Sequence, residues 1–122
     1  MMKSHIDVSV VLRQMVSESY SNLVTRPTGA AVRTYIEEQI LQSDSGAVAI
    51  IDFSHVGMMD FSCADEIVAK LVLHSDARCP KLVFSGLSES HIEAIDAVLE
   101  RHGKALVPLE TDRSTYVAAA TH

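Results

Sequence analysis

The chain has 122 residues, 48% of them hydrophobic and 21% charged, with a formal net charge of -6. Size and composition suit one globular domain over residues 1–122; they exclude a mainly disordered chain and leave no room for two independent cores. The acidic balance argues against a basic nucleic-acid face and against docking on anionic lipid, and no apolar run approaches the about 18 residues of a membrane span.

In chain order, Val8, Val11, Leu12, Met15 and Val16 fall at helical spacing, while Ile6, Val8, Val10 and Leu12 also alternate at period two. We read residues 6–19 as helix. Tyr20 to Thr25 suits a short edge strand. Arg26-Pro27-Thr28-Gly29 marks a boundary, with Pro27 placed for a first helical turn. Ala31, Val32, Tyr35, Ile36, Gln39 and Ile40 then predict a helix to about Gln42. Ser43 to Gly46 is a turn cluster. Ala47 to Ile51 is a continuous apolar run of strand length, as in a parallel sheet buried on both faces.

After a loop from Ser54 to Asp60, the residues Ala64, Ile67, Val68, Leu71 and Val72 trace one helical face ending near Ser75. Cys79-Pro80 breaks the chain. Lys81 to Phe84 predicts a second buried strand, closed by Ser85-Gly86. Ser88 opens a helix with Ile92, Ile95, Val98 and Leu99 inside, and Gly103 ends it. Ala105 to Val107 predicts a third strand. The tail, 111–122, is expected to hold one more short helix. Strands alternating with helices across short loops imply an α/β fold: a mainly parallel sheet of about four strands covered by helices.

The opening MMKSHIDVSVVLRQM has no long apolar stretch and does not read as a signal peptide. Cys63 and Cys79 form no Cys-x-x-Cys pair, so reduced thiols in a cytoplasmic protein are the expectation. The phosphate-cradling glycine loops are absent, as is the Gly-x-Ser-x-Gly nucleophile elbow. The six histidines (5, 55, 74, 91, 102 and 122) include no i, i+4 pair, and solvated or capping roles are expected for them. Glu37-Glu38 and Glu89 with Glu93 read as solvated helix faces. No enzyme activity, metal or cofactor is expected.

The most informative segment is Asp60-Phe-Ser-Cys-Ala-Asp-Glu66, after a buried strand and at the start of an amphipathic helix. Strand-end loops are where open α/β sheets build their sites. Ser62 with Asp65 three residues on has capping-box form, so Ser62 reads as a helix N-cap. It also reads as a phosphate acceptor, because helix N-termini offer unpaired N–H groups to phosphate oxygens. Phosphate would add about -1.5 to -2 charge beside Asp60, Asp65 and Glu66. No Arg or Lys lies between Val48 and Ala69 to pair with it. Such a charge would disrupt an apolar docking surface, and Val56, Met58, Met59, Phe61 and Cys63 could supply one. Met58 and Met59 serve equally as core filling.

The run Val48-Ala-Ile-Ile-Asp-Phe-Ser-His-Val-Gly-Met-Met-Asp-Phe-Ser62 resembles the signature of STAS domains, found in anti-sigma factor antagonists and sulfate transporters. Leu82 to Ser88 resembles that family's next strand and loop, Arg101-His-Gly103 the end of its following helix, and Thr25 to Ile40 its first helix. The likeness spans about residues 25–110. Phe61 to Leu71 is similar to a STAS-like branch of uncharacterised bacterial proteins. The resemblance implies a cytoplasmic, non-enzymatic switch whose partner is an anti-sigma factor that is also a serine kinase. Ser62 would be the acceptor, phosphorylation of which releases the partner, and Asp60 the acid opening the motif.

The family's motif runs Asp, small hydroxyl residue, Ser or Thr, Gly. Here Phe61 and Cys63 stand at its second and fourth positions. The family's first two strands are not visible in residues 1–24, an atypical N-terminal segment, and a second copy could pair with a sheet edge so left open. The alternative is a constitutive interaction domain in which Ser62 is only a cap. A third reading is thiol chemistry at Cys63, since a Cys in a first helical turn can have a lowered pKa. Asp60, Asp65 and Glu66 oppose that.

Overall fold

The computed structural model describes residues 3–16, 21–42, 48–74, 81–109 and 114–121. These contain β1 (Lys3–Asp7), α1 (Val8–Met15), α2 (Arg26–Leu41) and β2 (Val48–Asp52). Next comes α3, a continuous helix made of Phe61–Ala64, a π-turn over Asp65–Ala69, and Lys70–His74. β3 (Lys81–Ser85), α4 (Glu89–Glu100), β4 (Lys104–Pro108) and β5 (Thr115–Ala120) complete the described elements.

The five strands form one sheet in the order β1-β2-β3-β5-β4. β1, β2 and β3 pair in parallel, with Asp7 opposite Asp52 and Asp52 opposite Ser85 at their C-terminal ends. β5 is antiparallel to both β3 and β4. β4 therefore runs in the same direction as β1, β2 and β3. The fold is α/β, as expected, with four strands running one way and a fifth inserted against them.

That fifth strand corrects the reading of the tail as a short helix. Alanines 118–120 favour helix locally, but Thr115, Tyr116 and Val117 favour strand. Without β5, the facing edges of β3 and β4 would carry unpaired backbone groups. Thr111 to Arg113 lie outside the described residues.

Residues 3–7 also differ from the sequence reading, which placed no strand in this segment. β1 passes into α1 without a linker, so two periods overlap across Ile6 and Val8. Asp7 makes the switch: its Oδ1 accepts the Ser9 N–H at 2.9 Å and the Ser9 hydroxyl at 2.6 Å, which caps α1. The helix expected over 6–19 is present as Val8–Met15, and residues 17–19 lie outside the description. The edge strand expected over 20–25 reduces to one parallel bridge between Leu23 and Met59. Leu23 is fully buried, a plug under the loop rather than a sheet edge.

Ile6, Ala49, Ile51 and Phe84 point from the sheet into one core, shared with Leu12 of α1, Ile36 of α2, Ile67 of α3 and Ile95 of α4. All four helices thus contribute to the core on one face. Consecutive right-handed crossovers taken in one direction along a sheet have this result. No helix among the described residues is long and apolar enough to cross a membrane.

Candidate functional site

β2 ends at Asp52 and hands the chain to a loop, residues 53–60, that leads into α3. Two remote segments fasten this loop. From before it in sequence, the Leu23 N–H donates to Met58 O (2.7 Å), the Gly57 N–H to Ser21 O (2.7 Å), and the Asp60 N–H to Leu23 O (3.0 Å). The Asn22 side chain adds a fourth bond by accepting the Met58 N–H at 2.8 Å. From the far side comes His91, buried at the start of α4. Its Nδ1 accepts the Ser88 N–H (3.1 Å) while the Ser88 hydroxyl oxygen accepts the His91 N–H (3.2 Å), a reciprocal capping box. With Nδ1 accepting, Nε2 carries the proton it donates to Gly57 O at 2.6 Å. His91 is therefore a cap, within what was expected, and also a tether that sequence spacing does not reveal.

Asp60 caps α3. Its Oδ1 accepts the Cys63 N–H and the Ser62 hydroxyl, both at 2.8 Å, and its Oδ2 accepts the Thr25 N–H at 3.1 Å. Burial opposes its ionisation, but the donors from Cys63, Ser62 and Thr25 outweigh it and hold the carboxyl below the usual range. The expected Ser62 N-cap is thus corrected. The cap is two residues earlier, and the Ser62 hydroxyl is a donor to it. Ser62 is half-buried in the first turn of α3.

The same local geometry recurs. Asp7-Val-Ser9 and Asp52-Phe-Ser54 each set a Ser hydroxyl on the preceding Asp, at 2.6 and 2.5 Å, as Asp60-Phe-Ser62 does at 2.8 Å. A short Asp side chain that binds two residues ahead stabilises a turn locally. The three copies end β1, end β2 and begin α3.

Of the expected docking surface, Val56, Met59 and Cys63 are buried. They pack in the core with Leu23, which fills the underside of the loop, and so cannot meet a partner. Met58 and Phe61 are 59% and 55% exposed, and these two are the apolar surface beside Ser62. The core role left open for the Met pair thus falls to Met59 alone.

Cys63 is also unsuited to thiol chemistry. Burial, reinforced by the charge of Asp60, pushes its thiol up to about 12. Its Sγ instead donates to Thr25 O at 3.1 Å. Cys79 lies outside the described residues.

Charge compensation comes from a residue the local sequence could not supply. Arg26, at the start of α2, sets Nη1 2.8 Å from both Asp65 Oδ2 and Glu66 Oε1. Glu66 is buried and also takes Lys70 Nζ at 2.7 Å and Arg33 Nη2 at 3.5 Å. Burial opposes ionisation of Glu66, yet the hydrogen bonds and charges of Lys70 and Arg26 prevail and lower the carboxyl to about 2. The π-turn explains how an acid comes to be inside: the wider turn buries four consecutive residues, Glu66 to Ala69. Gly29 lets α2 approach closely enough, since a Cβ there would sit 3.0 Å from Glu66 Cβ and 3.2 Å from Cys63 Cα.

Thr25, between Leu23 and Arg26, has φ 69. A β-branched residue is strained there, and contacts around it must hold the conformation. Those contacts are Asp60 on its N–H and Cys63 on its carbonyl. Strain, cap and candidate serine are thus joined in one hydrogen-bonded unit.

Three more histidines pair with acids: His5 with Asp52 (2.9 Å), His55 with Asp7 (3.8 Å) and His74 with Glu37 (3.1 Å); His122 lies outside the described residues. Among the described residues no group of three or more His, Cys, Asp or Glu could hold a metal ion. Comparison with family models, with curated proteins and with solved structures finds no match for this chain.

Proposed function

We propose that this chain is a STAS-like, non-enzymatic partner-switching module that works in the cytoplasm and is controlled by phosphorylation of Ser62. The observation that carries the reading is the position of Ser62. Its hydroxyl sits at the first turn of α3, held by Asp60, between exposed Phe61 and the Asp65–Arg26 ion pair. A protein kinase transferring the terminal phosphoryl group of a nucleoside triphosphate to Ser62 Oγ would place about -1.5 to -2 charge there. Asp60 would repel that charge. Ser62, Asp65 and Glu66 share one helical face by their i, i+3 and i+4 spacing, so the phosphate would compete with both acids for Arg26, which is 51% exposed. Two neighbouring features would respond: the apolar pair Met58 and Phe61, and the anchoring of the α2 N-terminus. The partner class is a protein with an apolar contact for Phe61, and the sequence resemblance points to an anti-sigma factor with serine kinase activity.

A constitutive interaction domain is the second reading, and one observation favours it. The Asp-x-Ser turn occurs three times in the described structure, so the Ser62 hydroxyl is accounted for by turn geometry alone. Pull-downs from host extract with Ser62→Ala and Ser62→Asp baits separate the two. Under the switch, Ser62→Ala keeps a partner that Ser62→Asp loses. Equal capture by both baits would leave the constitutive reading. Phe61→Ser should lose the partner under either reading, and retention would move the contact away from this loop.

A further inference from the structure

The helices cover one face of the sheet, and the other face remains. Strand side chains alternate, so the residues between the core-facing ones point the opposite way. On β2 these are Val48 and Ile50, on β3 Val83, on β5 Val117 and Ala119, and on β4 Val107. Val83 is buried, yet it is outside the cluster that joins the helices to the sheet. Its neighbours on the bare face shield it, not a helix. Val107 is 41% exposed and the others are half-buried. No described element lies over this layer.

The face is polar along β1, where His5 stands in register with Ile50 and pairs with Asp52 at 2.9 Å, and at its two ends, which carry opposite signs. At the C-terminal ends of the parallel strands stand Asp7 and Asp52, in register with each other. Burial works against ionisation of Asp52, but donors from Ser54 and His5 keep its carboxyl below the usual range. At the opposite end Lys81 begins β3 in register with Val48. It is exposed, and among the described residues no ion pair holds it. An apolar centre with one acidic and one basic end is complementary to itself when a copy is turned end over end. A two-fold axis across the strands would place Lys81 of each copy over the Asp52 end of the other and valine against valine between them.

We infer that the bare sheet face is a homodimer interface, formed by two copies packed sheet to sheet with strands antiparallel. Strand spacing and rise give a face of roughly 24 by 17 Å, or about 400 Å² per copy. Stable interfaces bury about 800 Å² per partner. The dimer is therefore weak and concentration-dependent. It leaves Ser62, Met58 and Phe61 outside the contact and does not rest on their proposed role.

Sedimentation velocity of the full chain over a concentration series tests this, with Val107→Lys, Lys81→Glu and Phe61→Ser beside the wild type. Lys81 is exposed, so Lys81→Glu folds even if Val107→Lys does not; circular dichroism verifies both. The expected result is a wild-type mass that rises from monomer toward dimer, with Lys81→Glu and Val107→Lys each weakening association at least about tenfold. Phe61→Ser should associate as the wild type does. A wild type that stays monomeric at every concentration would overturn the inference. So would a dimer unchanged by Lys81→Glu and Val107→Lys, or one abolished by Phe61→Ser, since each places the contact on another surface.

Discussion

Replacing Glu66 with Gln keeps the side-chain volume and removes the charge at the centre of a buried ion cluster. In the folded chain the carboxyl titrates at about 2 in place of its ordinary 4.5, a difference of about 3 kcal/mol in favour of the ionised fold. Arg26 and Lys70 are 51% and 38% exposed, so water screens part of their contribution, and about 2 kcal/mol is the expected loss for Glu66→Gln near pH 7. Arg33 adds to the effect, because it is largely buried and, among the described residues, keeps only Glu37, at 2.8 Å, as a charge partner. The folded pKa is depressed. Its contribution is therefore fully present above pH 4.5 and is lost as pH falls toward 2. Urea denaturation followed by circular dichroism, at pH 7 and near pH 3, should show a wide gap between wild type and Glu66→Gln that narrows in acid. A variant as stable as the wild type at pH 7, or a gap that does not change with pH, would refute the reasoning.

Three other outcomes follow from the site. Asp60→Ala removes the α3 cap and its bond to Thr25, which should cost about 1–2 kcal/mol in the same denaturation assay. A loss within a few tenths would mean that another group caps α3. Thr25→Gly relieves a positive φ that only Gly adopts freely. Its exposed side chain contributes little packing, so a melting temperature unchanged or raised is expected, and a clear fall would show that Thr25 is unstrained. Cys63 should react with iodoacetamide in the folded protein far more slowly than in urea at every pH up to 9, because burial and Asp60 hold its thiol at about 12. Fast modification near pH 7 of the folded chain would return thiol chemistry to consideration.

The sequence was most legible where hydrophobic periodicity and chain punctuation coincide. Of the apolar run expected over Ala47–Ile51, Val48 to Ile51 lie in β2, Lys81–Phe84 begins β3, and Ser88 caps α4 before the stripe Ile92, Ile95, Val98, Leu99. Local signals failed where partners lie far along the chain. Val56 and Met59 read as a docking surface because a loop with apolar residues usually shows them to solvent; Leu23 and its backbone bonds turn them inward. Nothing local marks Glu66 as buried, since buried acids are rare unless paired and its partners Arg26 and Arg33 come from another helix. A π-turn has no spacing signature in a stripe that still matches helix. β1 was hidden by its direct passage into α1, and β5 by three alanines. The candidate site is therefore half legible. Asp60 and Ser62 stand where strand-end logic puts them, while the cap falls to Asp60 through its bond from the Cys63 N–H and Arg26 arrives from α2, about forty residues away in sequence.

The measurement closest to the central proposal is the intact mass of the protein purified from its native host, before and after phosphatase, with the site mapped by peptide fragmentation. One phosphate on Ser62, lost with phosphatase and absent from Ser62→Ala, is the expected result. An unmodified mass across growth conditions, or phosphate that maps elsewhere, would contradict control through Ser62 and leave its hydroxyl as part of the Asp60 turn.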